Sequence, residues 1–175
     1  ETNVTQTVEE MVNRKISNMY PKEVVPIGEE VLRVENLSVP HPYTSKKMIV
    51  DNVSFNVKAG EILGLVGLVG AGRSESMNAV FGSIKKAGGR VLLNGKEIKI
   101  KSPRHAVKAG IALLTEDRKL NGFVATMNVT QNCTLASLNQ ISKLGLLNGR
   151  DEAAKGNESI KKLSIKVQGG KDSIM

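Results

Sequence analysis

The stretch Gly67-Leu68-Val69-Gly70-Ala71-Gly72-Arg73-Ser74 constrains this chain more than any other. It follows a continuous apolar run, Glu61-Ile62-Leu63-Gly64-Leu65-Val66, and precedes a helical pattern through Met77, Val80 and Phe81. A glycine, four free positions, a second glycine, a cation and a hydroxyl make the spacing of a phosphate-binding loop. The single departure is Arg73, where that pattern carries lysine. Glycines let successive backbone N–H groups turn inward around phosphate oxygens with no Cβ in the way. A helix starting there adds free N–H groups and the positive end of its dipole. The side chain of residue 73 would reach terminal phosphates, and the Ser74 hydroxyl would help hold Mg²⁺. Gly67, Gly70, Ala71, Gly72, Arg73, Ser74 and Glu75 are therefore the candidate nucleotide-binding residues, with the Glu75 carboxylate suited to the helix dipole. The apolar run reads as a fully buried strand. An arginine keeps the positive charge but is planar and bulkier than lysine. Phosphate binding is expected to persist, and efficient hydrolysis is not.

The rest of the chain narrows the chemistry. Its 175 residues suit one domain with an attached linker, and 40% hydrophobic with 24% charged residues is a globular balance. One cysteine, Cys133, and two histidines, His41 and His105, exclude a disulfide framework and a Cys/His zinc cluster. No apolar run approaches the roughly 18 residues of a membrane span. Residues 1–10 are acidic and lack the apolar stretch of a signal peptide. The absent initiator methionine points to a processed or excised segment. The net charge of +8 is uneven, because residues 1–30 carry three basic against six acidic side chains. The densest basic stretch holds Lys85, Lys86, Arg90, Lys96, Lys99, Lys101, Arg104 and Lys108 against Glu97 alone. Such a field attracts nucleic acid, phosphorylated ligands or an anionic surface, but it is also what a solvated face looks like. Aromatics are 3% of the chain, too few for single-strand stacking platforms, so no nucleic-acid partner is expected.

Periodicity places the other elements. Val4, Val8, Met11, Val12 and Ile16 fall at helical spacing, and Tyr20-Pro21 and Pro26-Ile27-Gly28 end regular structure. Residues 1–28 read as a tail or linker. Val31, Val34, Leu37 and Val39 suggest a strand, and Val53, Phe55 and Val57 alternate as a second. Val91-Leu92-Leu93, Asn94-Gly95 and Lys96 to Ile100 form a hairpin with a type I′ turn. Ser102-Pro103 starts a short helix that Gly110 ends in the left-handed conformation. Ile111-Ala112-Leu113-Leu114 reads as a second buried strand. Beyond Asn128 the chain turns helical, with Leu135 and Leu138 on one face and a further helix from about Arg150 to Leu163.

These residues together resemble the nucleotide-binding domain of ATP-binding cassette (ABC) transporters. More narrowly, they resemble the second of two tandem cassettes in bacterial monosaccharide importers. The carriers are Val53-Ser54-Phe55, the run from Gly60 through Glu75, Gly95, and Thr115-Glu116-Asp117-Arg118-Lys119. An arginine in the phosphate loop is usual for that second cassette. The resemblance implies an α/β P-loop fold, partial here, with an antiparallel β subdomain and a helical subdomain from about residue 121. Residues 29–175 would form the partial domain, and residues 1–28 the linker and end of a preceding cassette. It implies ATP and Mg²⁺ as ligands. Glu116 takes the position that usually carries a glutamine touching Mg²⁺ and the permease, so Ser74 and Glu116 are the candidate metal residues. An aromatic from the loop after the first strand stacks on adenine in the family, and Tyr43 or His41 is placed to do so. Implied partners are permease subunits, the other cassette and, indirectly, an extracytoplasmic sugar-binding protein, with the subunit on the cytoplasmic face of the membrane. His41-Pro42 and residues 134–139 make the xylose type nearest, with ribose and galactose types open.

The family's Asp-Glu strand, Leu-Ser-Gly-Gly signature and switch histidine are not in this sequence, although Gly169-Gly170 imitates part of the signature. The signature would begin just past Met175. No catalytic base is therefore assigned within residues 1–175, and this chain alone is expected not to turn over ATP. The competing expectations are a non-hydrolysing regulatory nucleotide-binding module and a nucleic-acid-binding domain built on the 85–108 stretch. A GTPase or kinase is disfavoured by the missing Asn-Lys-x-Asp.

Overall fold

The computed structural model describes residues 3–12, 23–44 and 47–172. They divide into two compact units, residues 1–113 and 114–175. In the first, helix α1 spans Val4–Val12, strand β1 Glu30–Pro40, β2 Met48–Lys58, helix α2 Arg73–Phe81, β3 Gly88–Leu93, β4 Lys96–Ile98 and helix α3 Pro103–Lys108. Ile16 and Tyr20-Pro21 lie outside the described residues.

The four strands form an antiparallel sheet in the order β2-β1-β3-β4. Alternation turns Val34 of β1, Val50 of β2 and Val91 of β3 inward, where they meet Leu37, Val39 and the Ala79–Val80 face of α2. All seven are buried, and Leu32, Ile49, Phe55, Ile98 and Ile100 pack around them. The Asn94-Gly95 turn takes φ 49° and 74°, as the hairpin pattern requires. Ser102 occupies the N-cap of α3 without a side-chain capping bond, and Gly110 takes φ 88°.

The long β1–β2 ribbon is bent by a reciprocal pair of bulges. Asn36 and Asn52 stand at φ 52° and 54°, and register shifts flank both. The Asn36 amide donates to Ser54 Oγ at 2.8 Å, and the Asn52 amide donates to Ser38 Oγ at 3.1 Å. Sequence mirrors geometry: acid-Asn-apolar-Ser occurs as residues 35–38 and again as 51–54. Asparagine tolerates the left-handed region, and the facing serine takes up the amide that the bulge strips from the ladder. On the polar face, Arg33 donates twice to Glu30 at 2.8 Å, Asn56 donates to Glu30, and Arg90 pairs with Glu35. The Arg33 hydrogen bond holds the Glu30 carboxyl below its usual range. Exposed pairs of this kind contribute little to stability.

Two expectations fail here. Residues 62–66 join no ladder, and Ile62 and Val66 are 98% and 96% exposed. Residues 111–114 also form no strand, and Leu114 is exposed. A buried parallel strand needs neighbours on both sides. Every ladder among the described residues is antiparallel and made by other segments, so neither run finds a partner to cover it.

In residues 114–175, α4 spans Arg118–Asn121, α5 Val129–Thr134, α6 Leu138–Ile141, β5 Ser142–Lys143, β6 Leu146–Leu147 and α7 Gly149–Lys162. A 3₁₀ turn at Leu135–Ser137 interrupts the helical run, with Leu135 partly exposed and Leu138 half-buried. Asn128 and Gln131 cap α5 reciprocally, and Asn148 caps α7 by accepting from the Arg150 amide. α5 and α7 cross at Thr130 and the buried Gly156. A Cβ at Gly156 would lie 2.6 Å from Thr130 Cγ2 and 2.7 Å from its Oγ1. Gly170 also closes on Thr130, its carbonyl accepting the Thr130 amide at 2.9 Å. Gly156→Ala is thus expected to lower stability by about 1–3 kcal/mol through overpacking. Urea denaturation checks this, and an unchanged midpoint would contradict the close crossing.

Candidate functional site

The phosphate loop lies in the first unit, at the point where α2 meets β2. Leu68 to Ala71 form a turn closed by the Ala71 amide on the Leu68 carbonyl at 3.1 Å, with Gly70 at φ 80°. Positive φ at the third turn position asks for glycine. The chain curls back so that a Cβ on Gly67 would touch Ala71 Cβ at 3.1 Å and Arg73 Cδ at 3.8 Å. Gly72, the N-cap of α2, also stands at φ 80°. It is pressed onto β2: a Cβ there would lie 2.5 Å from the Ile49 carbonyl oxygen. β2 thereby fixes where α2 begins, and no residue but glycine fits that seat.

Such a loop gathers open donors. The amides of Gly70, Gly72, Arg73, Ser74 and Glu75 find no acceptor among the described residues. Those of residues 73–75 are the orphan donors of a helix start. Arg73 is exposed and takes part in no ion pair among the described residues, so its guanidinium is available to an anion. Ser74 is half-buried, its hydroxyl makes no hydrogen bond among the described residues, and its carbonyl accepts from Asn78 Nδ2 at 2.8 Å. Glu75 sits half-buried in the first turn of α2, where a carboxylate complements the dipole. The set is a compact array of N–H donors with one cation, one hydroxyl and the Glu75 carboxylate. It can hold a polyphosphate.

Tyr43 belongs to the β1–β2 connection. Its amide donates to His41 Nδ1 at 3.2 Å, and the two rings meet edge to face at 6.1 Å. Tyr43 is 92% exposed, while His41 is half-buried. The connection rejoins β2 at Met48, next to Ile49, the residue that seats Gly72. Tyr43 and the loop are thus carried on the same end of β2. Glu116 lies in the second unit, exposed, with Asp117, Arg118 and Lys119 around an open depression of about 710 Å³. Asp117 caps α4 by accepting from the Lys119 and Leu120 amides. No group of three or more His, Cys, Asp or Glu among the described residues forms a ready-made metal site. Cys133 is half-buried and unpaired by any disulfide.

Sequence reasoning missed Ser76 and Asn78. Ser76 is buried, and both its amide and its Oγ donate to the Gly72 carbonyl, at 2.8 and 2.7 Å. The signal was the four-residue step from 72 to 76 and from 74 to 78, which puts a hydroxyl or amide over the preceding turn.

Comparison with known proteins gives consistent matches. The family model described as ABC transporter covers residues 50–170. A ribose import ATP-binding protein from Geobacillus kaustophilus is 45% identical over 152 residues, which is 87% of this chain and 29% of that protein. A xylose import ATP-binding protein from Photobacterium profundum is 43% identical over 158 residues, 90% of this chain and 31% of that protein. The chain therefore spans about a third of the length of these relatives. Among solved structures, a dimeric ATP-binding cassette in a post-hydrolysis state bound to ADP and Pi superposes with a TM-score of 0.65. The identity is 15%, over 82% of this chain and 61% of that one. A second cassette of an ABC transporter gives 0.62 at 23% identity, over 82% and 57%. At those identities the likeness shows the fold: an ATP-binding cassette of the P-loop type, with mixed helices and an antiparallel sheet.

Proposed function

This chain belongs to the ABC transporter family, and on that premise we propose that it forms the ATP-binding part of a monosaccharide import subunit. The observation that carries the reading is the cluster of five amides, without an acceptor among the described residues, where glycine-bent chain opens onto α2. Residues 67–75 bind the triphosphate of ATP, with Arg73 as the cation. Tyr43 offers its exposed ring to the adenine. The hydroxyl of Ser74 suits Mg²⁺, which takes oxygen ligands and retains water; for Glu116, which belongs to the other unit, the metal role rests on the resemblance alone. Such an ion, when bound, would supply positive charge to offset that of the phosphates. The protein's own groups orient and hold the polyphosphate. Bond cleavage belongs to the full-length subunit, where residues outside this chain supply the attacking water's partner.

Residues 29–175 act as the partial nucleotide-binding domain, with residues 1–28 leading from a preceding cassette. Permease subunits, the other cassette and an extracytoplasmic sugar-binding protein complete the import system, with this subunit peripheral on the cytoplasmic face of the membrane. The named sugars of its relatives, ribose and xylose, support the monosaccharide class. No described helix is long and apolar enough to cross a membrane. Arg73 in place of lysine favours a second reading, a cassette that binds ATP and hydrolyses it poorly. In the intact two-cassette subunit, a large gain in hydrolysis on Arg73→Lys would support that attenuation.

The test uses the 175-residue chain and displacement of a fluorescent ATP analogue in the presence of Mg²⁺. ATP and inorganic tripolyphosphate are expected to displace it, and AMP is not, because the loop reads the polyphosphate. ATP hydrolysis is expected to stay at background. Displacement by AMP but not by tripolyphosphate would overturn the phosphate-loop assignment.

A further inference from the structure

We infer that Ser76 and Asn78 are positioning residues that aim the phosphate-binding amides, each by gripping the carbonyl on the opposite end of the same peptide plane. The inference rests on the nucleotide reading above and adds residues that the motif does not include.

The geometry begins with the peptide unit. It is planar and trans, so the carbonyl of one residue and the amide of the next form one rigid plate with oxygen and hydrogen facing opposite ways. The Gly72 carbonyl and the Arg73 amide share a plate, and so do the Ser74 carbonyl and the Glu75 amide. Ser76 grips the first plate with two donors, its Oγ at 2.7 Å and its amide at 2.8 Å, both on the Gly72 oxygen. Asn78 Nδ2 grips the second at the Ser74 oxygen, at 2.8 Å. Each grip draws a carbonyl down the α2 axis and turns the paired N–H up, toward the side where no group among the described residues receives it. The two aimed amides flank the Ser74 amide, so three consecutive donors converge. Glycine at 72 makes the first grip necessary. With φ at 80° and no side chain, that plate has freedom that Ser76 and the seat on Ile49 remove.

Electronics act in the same direction. A carbonyl that accepts hydrogen bonds polarises its peptide group, and the N–H at the far end becomes a better donor. The doubly gripped Gly72 carbonyl should therefore make Arg73 N–H the strongest backbone contact to the anion. A carbonyl accepts only donors, so the nitrogen of the Asn78 amide must face Ser74, and aspartate cannot replace it. Helix capping alone explains neither side chain. Ser76 and Asn78 sit inside α2, where back-bonding to the preceding turn gives slight destabilisation, not support.

The experiment measures binding of inorganic tripolyphosphate and of ATP with Mg²⁺ to the 175-residue chain, alongside thermal unfolding. Ser76→Ala and Asn78→Ala are each expected to weaken tripolyphosphate binding about three- to tenfold, the worth of a neutral hydrogen bond. The unfolding midpoint should remain well above the assay temperature. Ser76→Thr, which keeps the back-bonding hydroxyl, should restore most of the loss. Asn78→Asp should do worse than Asn78→Ala. The spectroscopic mark is the Arg73 amide proton, which should shift upfield in Ser76→Ala and return in Ser76→Thr. Equal affinity in wild type and both alanine variants would overturn the inference while leaving the nucleotide reading intact. So would a loss in Ser76→Thr as large as in Ser76→Ala. Should Ser76→Ala not fold, the Asn78 pair decides by the same criteria. If wild type itself binds no tripolyphosphate, the nucleotide reading falls first and takes this inference with it.

Discussion

Gly72→Ala is expected to damage stability and phosphate binding together, whereas Gly70→Ala, at the same φ, is expected to cost much less. Both glycines stand at φ 80°, where a Cβ costs roughly 1–2 kcal/mol. They differ in what surrounds them. Nothing lies within 4 Å of a Cβ at Gly70. At Gly72 the Ile49 carbonyl oxygen would be 2.5 Å away and Val50 Cγ2 3.0 Å away. The oxygen belongs to β2 and cannot swing aside, so α2 must lift from the sheet at an overpacking cost of about 1–3 kcal/mol more. The sum, about 2–5 kcal/mol, is a large part of the roughly 5–15 kcal/mol that holds a typical domain. Lifting the start of α2 also breaks the Gly72 carbonyl's bonds from Ser76 and scatters the amides, so tripolyphosphate affinity should fall about tenfold or more. Denaturant midpoints and displacement titrations on the two variants measure this. Equal effects at 70 and 72 would mean that backbone strain alone, not the seat on β2, decides the position.

The contrast between those glycines also shows what a sequence can disclose. Spacing alone marked the bent turn at residues 67–74, because a turn needing glycine at fixed steps leaves a countable pattern. The hairpin at Asn94-Gly95 and the N-terminal strand pair were legible for the same reason: local chemistry dictates them. The apolar segments at 62–66 and 111–114 were not. Their hydrophobicity says that something must cover them, but pairing depends on neighbours remote in the chain, and within these residues none arrives. The Asn36/Ser54 and Asn52/Ser38 exchange was visible as a repeated acid-Asn-apolar-Ser, yet only register reveals that each asparagine meets the other repeat's serine. Ser76 and Asn78 were hidden because polar residues inside a helix are ordinarily read as a solvated face. The position of Glu116 came from resemblance, and its metal role stays a proposal until a binding measurement on Glu116→Gln tests it.

Arg73→Glu is expected to separate binding from folding, with effects of opposite sign. Arg73 is exposed and bonds to no carboxylate among the described residues, so its removal deletes no recorded structural contact. A glutamate at the first position of α2 meets the positive end of the helix, which stabilises by about 0.3–1 kcal/mol. The phosphate site responds the other way. It loses a charge-assisted hydrogen bond of about 1.5–3 kcal/mol. It also gains repulsion between a carboxylate and the polyphosphate, which exposure to solvent screens to a smaller amount. The net, about 2–4 kcal/mol, corresponds to roughly 30- to 1000-fold weaker tripolyphosphate binding. Added salt should shrink the difference between wild type and variant, since ions screen attraction in one and repulsion in the other. Displacement titrations at two ionic strengths, with thermal unfolding of both proteins, read every part of this. A variant that unfolds no earlier than wild type and binds tripolyphosphate as tightly would place the anion away from the start of α2. One that loses binding only because it unfolds would show that Arg73 holds the loop and not the ligand.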